Sequence, residues 1–244
     1  MKENKYDDIN FFNAYKQMAR SVKGLEGAGE WHELKKMFPD FRGKHVLDLG
    51  CGFGWHCRYA QEHGAESVIG IDLSENMLNQ AKAMTKSTII QYIKQPIEEI
   101  DYAEKTFDVV ISSLVFHYIE TFSKVCEKVN KCLREGGEFI FSVEHPVFTA
   151  NGPQDWTYDE EGNRMHWPVD HYFYEGARKA QFLGAEMVKY HRTVTTYIND
   201  LIGAGFEIMK VVEPQPEPSL LKDNKEMQDE LRRPMMLIIH AKKK

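Results

Sequence analysis

Val46-Leu47-Asp48-Leu49-Gly50-Cys51-Gly52-Phe53-Gly54-Trp55-His56 is an apolar run that breaks into alternate glycines where a strand should hand over to a helix. Residues without a Cβ let the backbone turn tightly and approach a ligand closely. A second apolar run, Ser67-Val68-Ile69-Gly70-Ile71, ends on Asp72. The two together place a glycine loop and a carboxylate at the tips of neighbouring strands.

In an open α/β sheet an acid at that position faces a ribose diol, so a nucleoside ligand is expected. A dinucleotide fingerprint would need its third glycine where Trp55 stands. The spacing here, Asp-x-Gly-x-Gly-x-Gly from Asp48 to Gly54, instead resembles motif I of class I S-adenosylmethionine-dependent methyltransferases. Residues 68–78 (Val-Ile-Gly-Ile-Asp-Leu-Ser-Glu-Asn-Met-Leu) resemble motif II, Phe107 to Leu114 motif IV, and Leu133-Arg134-Glu135-Gly136-Gly137-Glu138-Phe139 the turn into strand five. The likeness covers residues 46–145 and lies nearest the small-molecule branch that includes ubiquinone and menaquinone biosynthesis enzymes. It implies S-adenosylmethionine as cofactor, with Asp48, Gly50, Cys51, Gly52 and Gly54 in the cradle and Asp72 on the ribose hydroxyls. It also implies Leu73 and Met77 on the adenine faces and Ser112 and Leu114 at the end of strand four.

One position departs from the pattern. The family usually carries an acid after strand three to accept from the adenine amino group. Here Pro96 stands in its place in Gln95-Pro96-Ile97-Glu98-Glu99-Ile100, with Ile97 next to supply an N–H. Proline offers neither an N–H nor a side-chain acceptor. A backbone carbonyl, Gln95 or Glu98 would have to serve.

Composition narrows the class further. The chain has 244 residues and a net charge of -6, with acids spread along it, so no basic face for nucleic acid is expected. Cys51, Cys57, Cys126 and Cys132 lack a C-x-x-C spacing, which suggests neither a metal site nor a redox pair and fits a reducing cytoplasm. No signal peptide is evident after Met1. The longest apolar run, Val109 to Tyr118, falls far short of the ~20 residues that cross a bilayer.

Along the chain, helical spacing from Tyr6 to Arg20 and from Trp31 to Phe38 predicts a two-helix extension over residues 1–43. Strands (45–49, 67–71, 89–93, 107–114) then alternate with helices (55–63, 75–84, 122–133), and Gly136-Gly137 introduces a strand over 138–143. The stretch from Asn151 to Gly184 shows no clean period and is expected to be irregular. A strand over 186–191, a helix from Thr193 to Leu201, and strands over 206–212 and 235–241 follow. The expectation is one Rossmann-like α/β domain: a seven-stranded, mostly parallel sheet with helices on both faces, the last strand antiparallel, and an aromatic insertion or lid over 147–185.

Methyl transfer is an in-line displacement that needs a base only when the nucleophile carries a proton. Candidates at the strand ends are His117 and Tyr118 after strand four and Glu144 and His145 after strand five, two ionisable groups that are costly to bury unpaired. Trp156, Tyr158, Trp167, Tyr172, Phe173, Tyr174 and Phe182 suit a lid over the substrate, or a satellite core under a long loop. Arg192 could hold a substrate carboxylate or pair with a surface acid. Alternatives are a NAD-binding oxidoreductase, a non-catalytic S-adenosylmethionine-binding protein and an RNA methyltransferase. The acceptor atom, O, N, C or S, stays open at this point.

Overall fold

The computed structural model describes residues 4–222 and 225–244. Its centre is a seven-stranded sheet built from β1 (His45–Leu49), β2 (Ser67–Asp72), β3 (Ile90–Lys94), β4 (Phe107–Ser113), β5 (Leu133–Glu144), β10 (Phe206–Val212) and β11 (Met236–Lys243). The order across the sheet is β10-β11-β5-β4-β1-β2-β3. Strands β1 to β5 pair in parallel, and β11 runs antiparallel to both β5 and β10. The order reverses between β4 and β1, and it is at such a switch point that open α/β sheets bind ligands.

Side chains alternate across the sheet with period two. Val46, Val109, Ile111, Ile140 and Ile238 join one buried cluster, whereas Leu47, Val110, Phe139, Phe141 and Ile239 join the other. Both faces are therefore covered, as a parallel sheet requires. Helices α1 (Ile9–Lys16), α2 (Ala19–Val22), α3 (Trp31–Leu34), α4 (Trp55–Glu62), α5 (Glu75–Met84), α6 (Phe122–Cys132), α7 (Pro146–Thr149) and α8 (Val194–Gly203) surround or cap it.

The N-terminal extension differs from expectation in one respect. The helix over residues 6–20 is broken, because Met18 adopts an extended conformation between α1 and α2. Asp8 caps α1 through the Asn10 and Phe11 amides, so Phe11 and Phe12 turn inward while Ile9 stays exposed. The second helix is likewise short, with a 3-10 turn at Lys35–Met37 before Pro39.

Strand β5 is longer than expected. Gly136 and Gly137 form an irregularity within it, where the partner of β4 jumps from Leu133 to Glu138. The insertion is also more regular than its sequence suggests. It contains a short antiparallel pair, β6 (Thr157–Tyr158) with β7 (Arg164–His166), and a seven-residue hairpin, β8 (Gly176–Phe182) with β9 (Ala185–His191). Leu183 and Gly184 connect β8 to β9 with φ of 50° and 77°, the geometry of a two-residue hairpin turn. Only Ala180 of β8 is buried, so no apolar alternation marks that strand.

Candidate active site

The loop after β1 carries Gly50, Gly52 and Gly54 at φ of 74°, 51° and 71°. A Cβ on Gly50 would meet Val115 Cγ2 at 2.4 Å, and one on Gly54 would meet Tyr92 Oη at 2.1 Å. These two glycines are required by packing. A Cβ on Gly52 would meet nothing within 4 Å, so the middle glycine alone leaves open space.

That space belongs to a cavity of about 390 Å³ along the C-terminal edge of the sheet. Its wall runs from Pro96, Ile97 and Glu98 after β3, past Asp72, Leu73 and Met77 at β2 and α5, to Gly50 and Gly52 after β1. It continues through Ser113, Leu114, His117 and Tyr118 after β4 to Glu144 at the end of β5. With neighbouring strands about 4.8 Å apart, the three steps from β2 to β5 separate Asp72 from Glu144 by about 14 Å. One end can hold a nucleoside while the other stays free for a second molecule.

Asp72 accepts the Gly52 N–H at 2.9 Å and the Ser74 N–H at 2.8 Å, so it braces the glycine loop as well as facing the cavity. Burial pushes its carboxyl up to about 6, against those hydrogen bonds. Gln95 turns away to the Glu99 carbonyl at 3.0 Å.

Four of the expected cofactor residues lie outside the cavity wall. Asp48 is buried beneath the loop, where it accepts the Cys57 thiol at 3.2 Å. Burial pushes that carboxyl up to about 7. The Cys51 sulfur lies on the side of Gly70, Gly54 packs on Tyr92, and the buried Ser112 hydroxyl donates to the Leu49 carbonyl at 2.8 Å. The glycine loop itself stands between these groups and the open space.

At the β5 end, Glu144 Oε1 lies 2.6 Å from Lys189 Nζ and its Oε2 accepts from Gln154 at 2.8 Å. Burial opposes ionisation of Glu144, but His117, Lys189 and Gln154 outweigh it and hold the carboxyl below its ordinary value. His117 accepts the Glu144 N–H on Nδ1 at 3.3 Å, and burial pulls the imidazole down to about 4. Both residues face the cavity, but the proton-accepting nitrogen of His117 is taken.

His145 does not face the cavity. Its Nδ1 caps α7 by accepting the Val147 N–H at 3.0 Å, and its Nε2 sits 2.9 Å from Glu213. The aromatic insertion contributes only Phe182 to the wall. Trp167 instead stacks on Phe148 at 4.9 Å, meets Trp156 edge-on, and takes the Arg233 guanidinium 4.2 Å above its ring. Phe173 and Tyr174 are largely exposed. Arg192 is buried too, donating to the carbonyls of Phe116, Ile119 and Glu120.

The cover comes from elsewhere. Asn4, Tyr6, Tyr15 and Arg20 of the N-terminal extension close over the glycine loop, and Met235 and Met236 close the β11 side. Arg20 donates to Glu30 at 2.6 Å, and the same Glu30 oxygen accepts the Ser113 hydroxyl at 3.1 Å. Burial opposes both charges, yet each partner keeps the other ionised. Arg20, Glu30 and Lys189 were not visible in the sequence, because no motif surrounds them.

The profile of the methyltransferase domain family matches residues 47–141. A crystal structure from Listeria monocytogenes, assigned as an S-adenosylmethionine-dependent methyltransferase, is 60% identical with a TM-score of 0.86, covering 91% of this chain and 99% of that one. The S-adenosylmethionine-dependent methyltransferase of Mesorhizobium loti is 43% identical with a TM-score of 0.83, covering 90% and 100%. A ubiquinone biosynthesis O-methyltransferase of Coxiella burnetii is 31% identical over 111 residues, 45% of this chain and 47% of that one. Fold and cavity thus define a nucleoside-binding α/β enzyme. The chain belongs to the S-adenosylmethionine-dependent methyltransferases, and its cofactor is S-adenosylmethionine.

Proposed function

We propose that the protein transfers the methyl group of S-adenosylmethionine to a small molecule held at the β5 end of the cavity. The observation that carries this reading is the open space at Gly52 beside Asp72, in a cavity that extends about 14 Å beyond the ribose end. The bound cofactor supplies an electrophilic methyl on a sulfonium. Asp72 accepts from the ribose hydroxyls, Leu73, Met77 and Ile97 pack on the adenine, and Pro96 and Glu98 lie at its edge. Gly50 and Gly52 admit the methionyl chain, whose carboxylate meets Arg20. Leu114, at the tip of β4, would line the cavity between cofactor and acceptor.

The extension over residues 4–43 and the wall at Met235 and Met236 exclude water, and much of the rate comes from alignment and desolvation. The largely apolar cavity and the net charge of -6 support a small molecule over a nucleic acid. Four free cysteines support a location in the reducing cytoplasm. Among the described residues no helix is long and apolar enough to cross a membrane. Calorimetric titration with S-adenosylhomocysteine and with NAD tests the cofactor end: the first should bind and the second should not. Binding of NAD alone would favour an oxidoreductase.

A further inference from the structure

Among the described residues, the ionisable groups at the acceptor end of the cavity, His117, Tyr118, Glu144 and Glu230, are each engaged by a neighbour. His117 takes the Glu144 N–H on Nδ1, and an N–H can only donate, so the ring proton sits on Nε2. That imidazole offers a donor to the cavity and no lone pair. Glu144 has both carboxylate oxygens bonded, one to Lys189 Nζ at 2.6 Å and one to Gln154 at 2.8 Å. Tyr6 and Tyr118 share a hydrogen bond, and burial raises both hydroxyls far above neutrality. Among the described residues no group here takes a proton at neutral pH, as methylation of an alcohol or phenol would require.

The cations described at this end are spent as well. Lys189 is 2% exposed and is held by Glu144 and by Gln154 at 2.7 Å. Arg192 is bound to main-chain carbonyls, and Arg233 pairs with Glu230 at 2.7 Å. Arg20 stands over the β4 tip with Glu30, where the cofactor is placed. A carboxylate or phenolate acceptor would therefore lie beside the buried Glu144 with no counter-charge of its own.

We propose that the acceptor atom is a neutral, weakly basic nitrogen, such as that of an aromatic N-heterocycle on an apolar body, methylated without a protein base. This rests on the methyl-transfer reading above. The nitrogen lone pair forms the N–CH₃ bond as the S–CH₃ bond breaks and its electron pair returns to sulfur. The positive charge passes from sulfur to nitrogen, and no proton moves. The new cation is received by the rings of Tyr118 and Phe182, which line this part of the cavity.

The test is transfer of tritium from S-adenosyl-L-[methyl-³H]methionine to matched panels of substituted pyridines and imidazoles, phenols and benzoates, and to a small-molecule cell extract. Labelled product retained on a cation exchanger at high pH, at least tenfold above phenol and benzoate products, is expected. Label in a neutral ether or a base-labile ester would overturn the inference and leave the methyltransferase reading intact. Absence of label from every acceptor, with S-adenosylhomocysteine still bound, would remove both. Independently of turnover, ¹⁵N spectra assigned with His117→Gln should show the Nε2–H tautomer with no titration between pH 5 and 8. An Nδ1–H tautomer, or titration near pH 7, would restore a base and overturn the proposal.

Discussion

Asp7 accepts the Ser74 hydroxyl at 2.6 Å and so ties the N-terminal extension to the first turn of α5. The same carboxylate accepts the Asn76 N–H at 3.0 Å, a charge placed favourably at a helix N-terminus. Asn4 and Tyr6, which precede Asp7 in the chain, line the cavity, so the clasp holds part of its cover in place. Loss of these bonds removes ~1–2 kcal/mol. Asp7→Ala should speed dissociation of S-adenosylhomocysteine about five- to thirtyfold in stopped-flow displacement. An unchanged rate would mean that the extension does not gate the site.

Arg20 and Glu30 form a pair that can be neutralised together. Removing only the arginine would strand a buried carboxylate, at a cost of about 3–5 kcal/mol. The double variant Arg20→Gln/Glu30→Gln avoids that cost. It should bind S-adenosylhomocysteine at least tenfold more weakly, yet bind 5′-methylthioadenosine, which lacks the amino-acid end, as the wild type does. Equal losses for both ligands would place Arg20 away from the methionyl chain.

Asp48 makes the stability of the ligand-free protein depend on pH. Its carboxyl is pushed above its unfolded value, to about 7, so the folded chain holds the proton more tightly than the unfolded chain. Stability contributed this way falls as pH rises from ~4 to about 7. At ~1.4 kcal/mol per pH unit the penalty reaches about 4 kcal/mol above that window. Asp48→Asn should melt several degrees higher than wild type at pH 8, with the gain vanishing near pH 4. Its affinity for S-adenosylhomocysteine should be unaltered, since Asp48 lies beneath the loop.

The cofactor end is legible in the sequence because backbone geometry dictates it. Alternate glycines and a strand-tip acid state the loop and the ribose position directly, and alternation in Val46-Leu47 or Val109-Val110-Ile111 states which strands are buried on both faces. The cover is not legible, because it comes from segments without a period. Arg20 follows a break at Met18, and Lys189 sits on a hairpin strand whose partner is mostly exposed. His145 carried a signal that its charge obscured: Pro146 follows it at the first helical position, which makes His145 the residue before a helix start. The insertion's rings find their partner in Arg233, far along the chain, a pairing that no local pattern announces.

Calorimetry with S-adenosylhomocysteine on the wild type, Gly52→Ala and Asp72→Asn tests the central claim most directly. Gly52→Ala adds a Cβ to space that no protein atom fills, at a conformational cost of ~1–2 kcal/mol for its positive φ, so the variant should fold. Asp72→Asn removes a charged acceptor whose hydrogen bonds contribute ~1.5–3 kcal/mol each. The account predicts that the wild type binds and that each variant, shown folded by its melting transition, binds at least tenfold more weakly. A wild type that does not bind, or two folded variants that bind as tightly as it does, would contradict it.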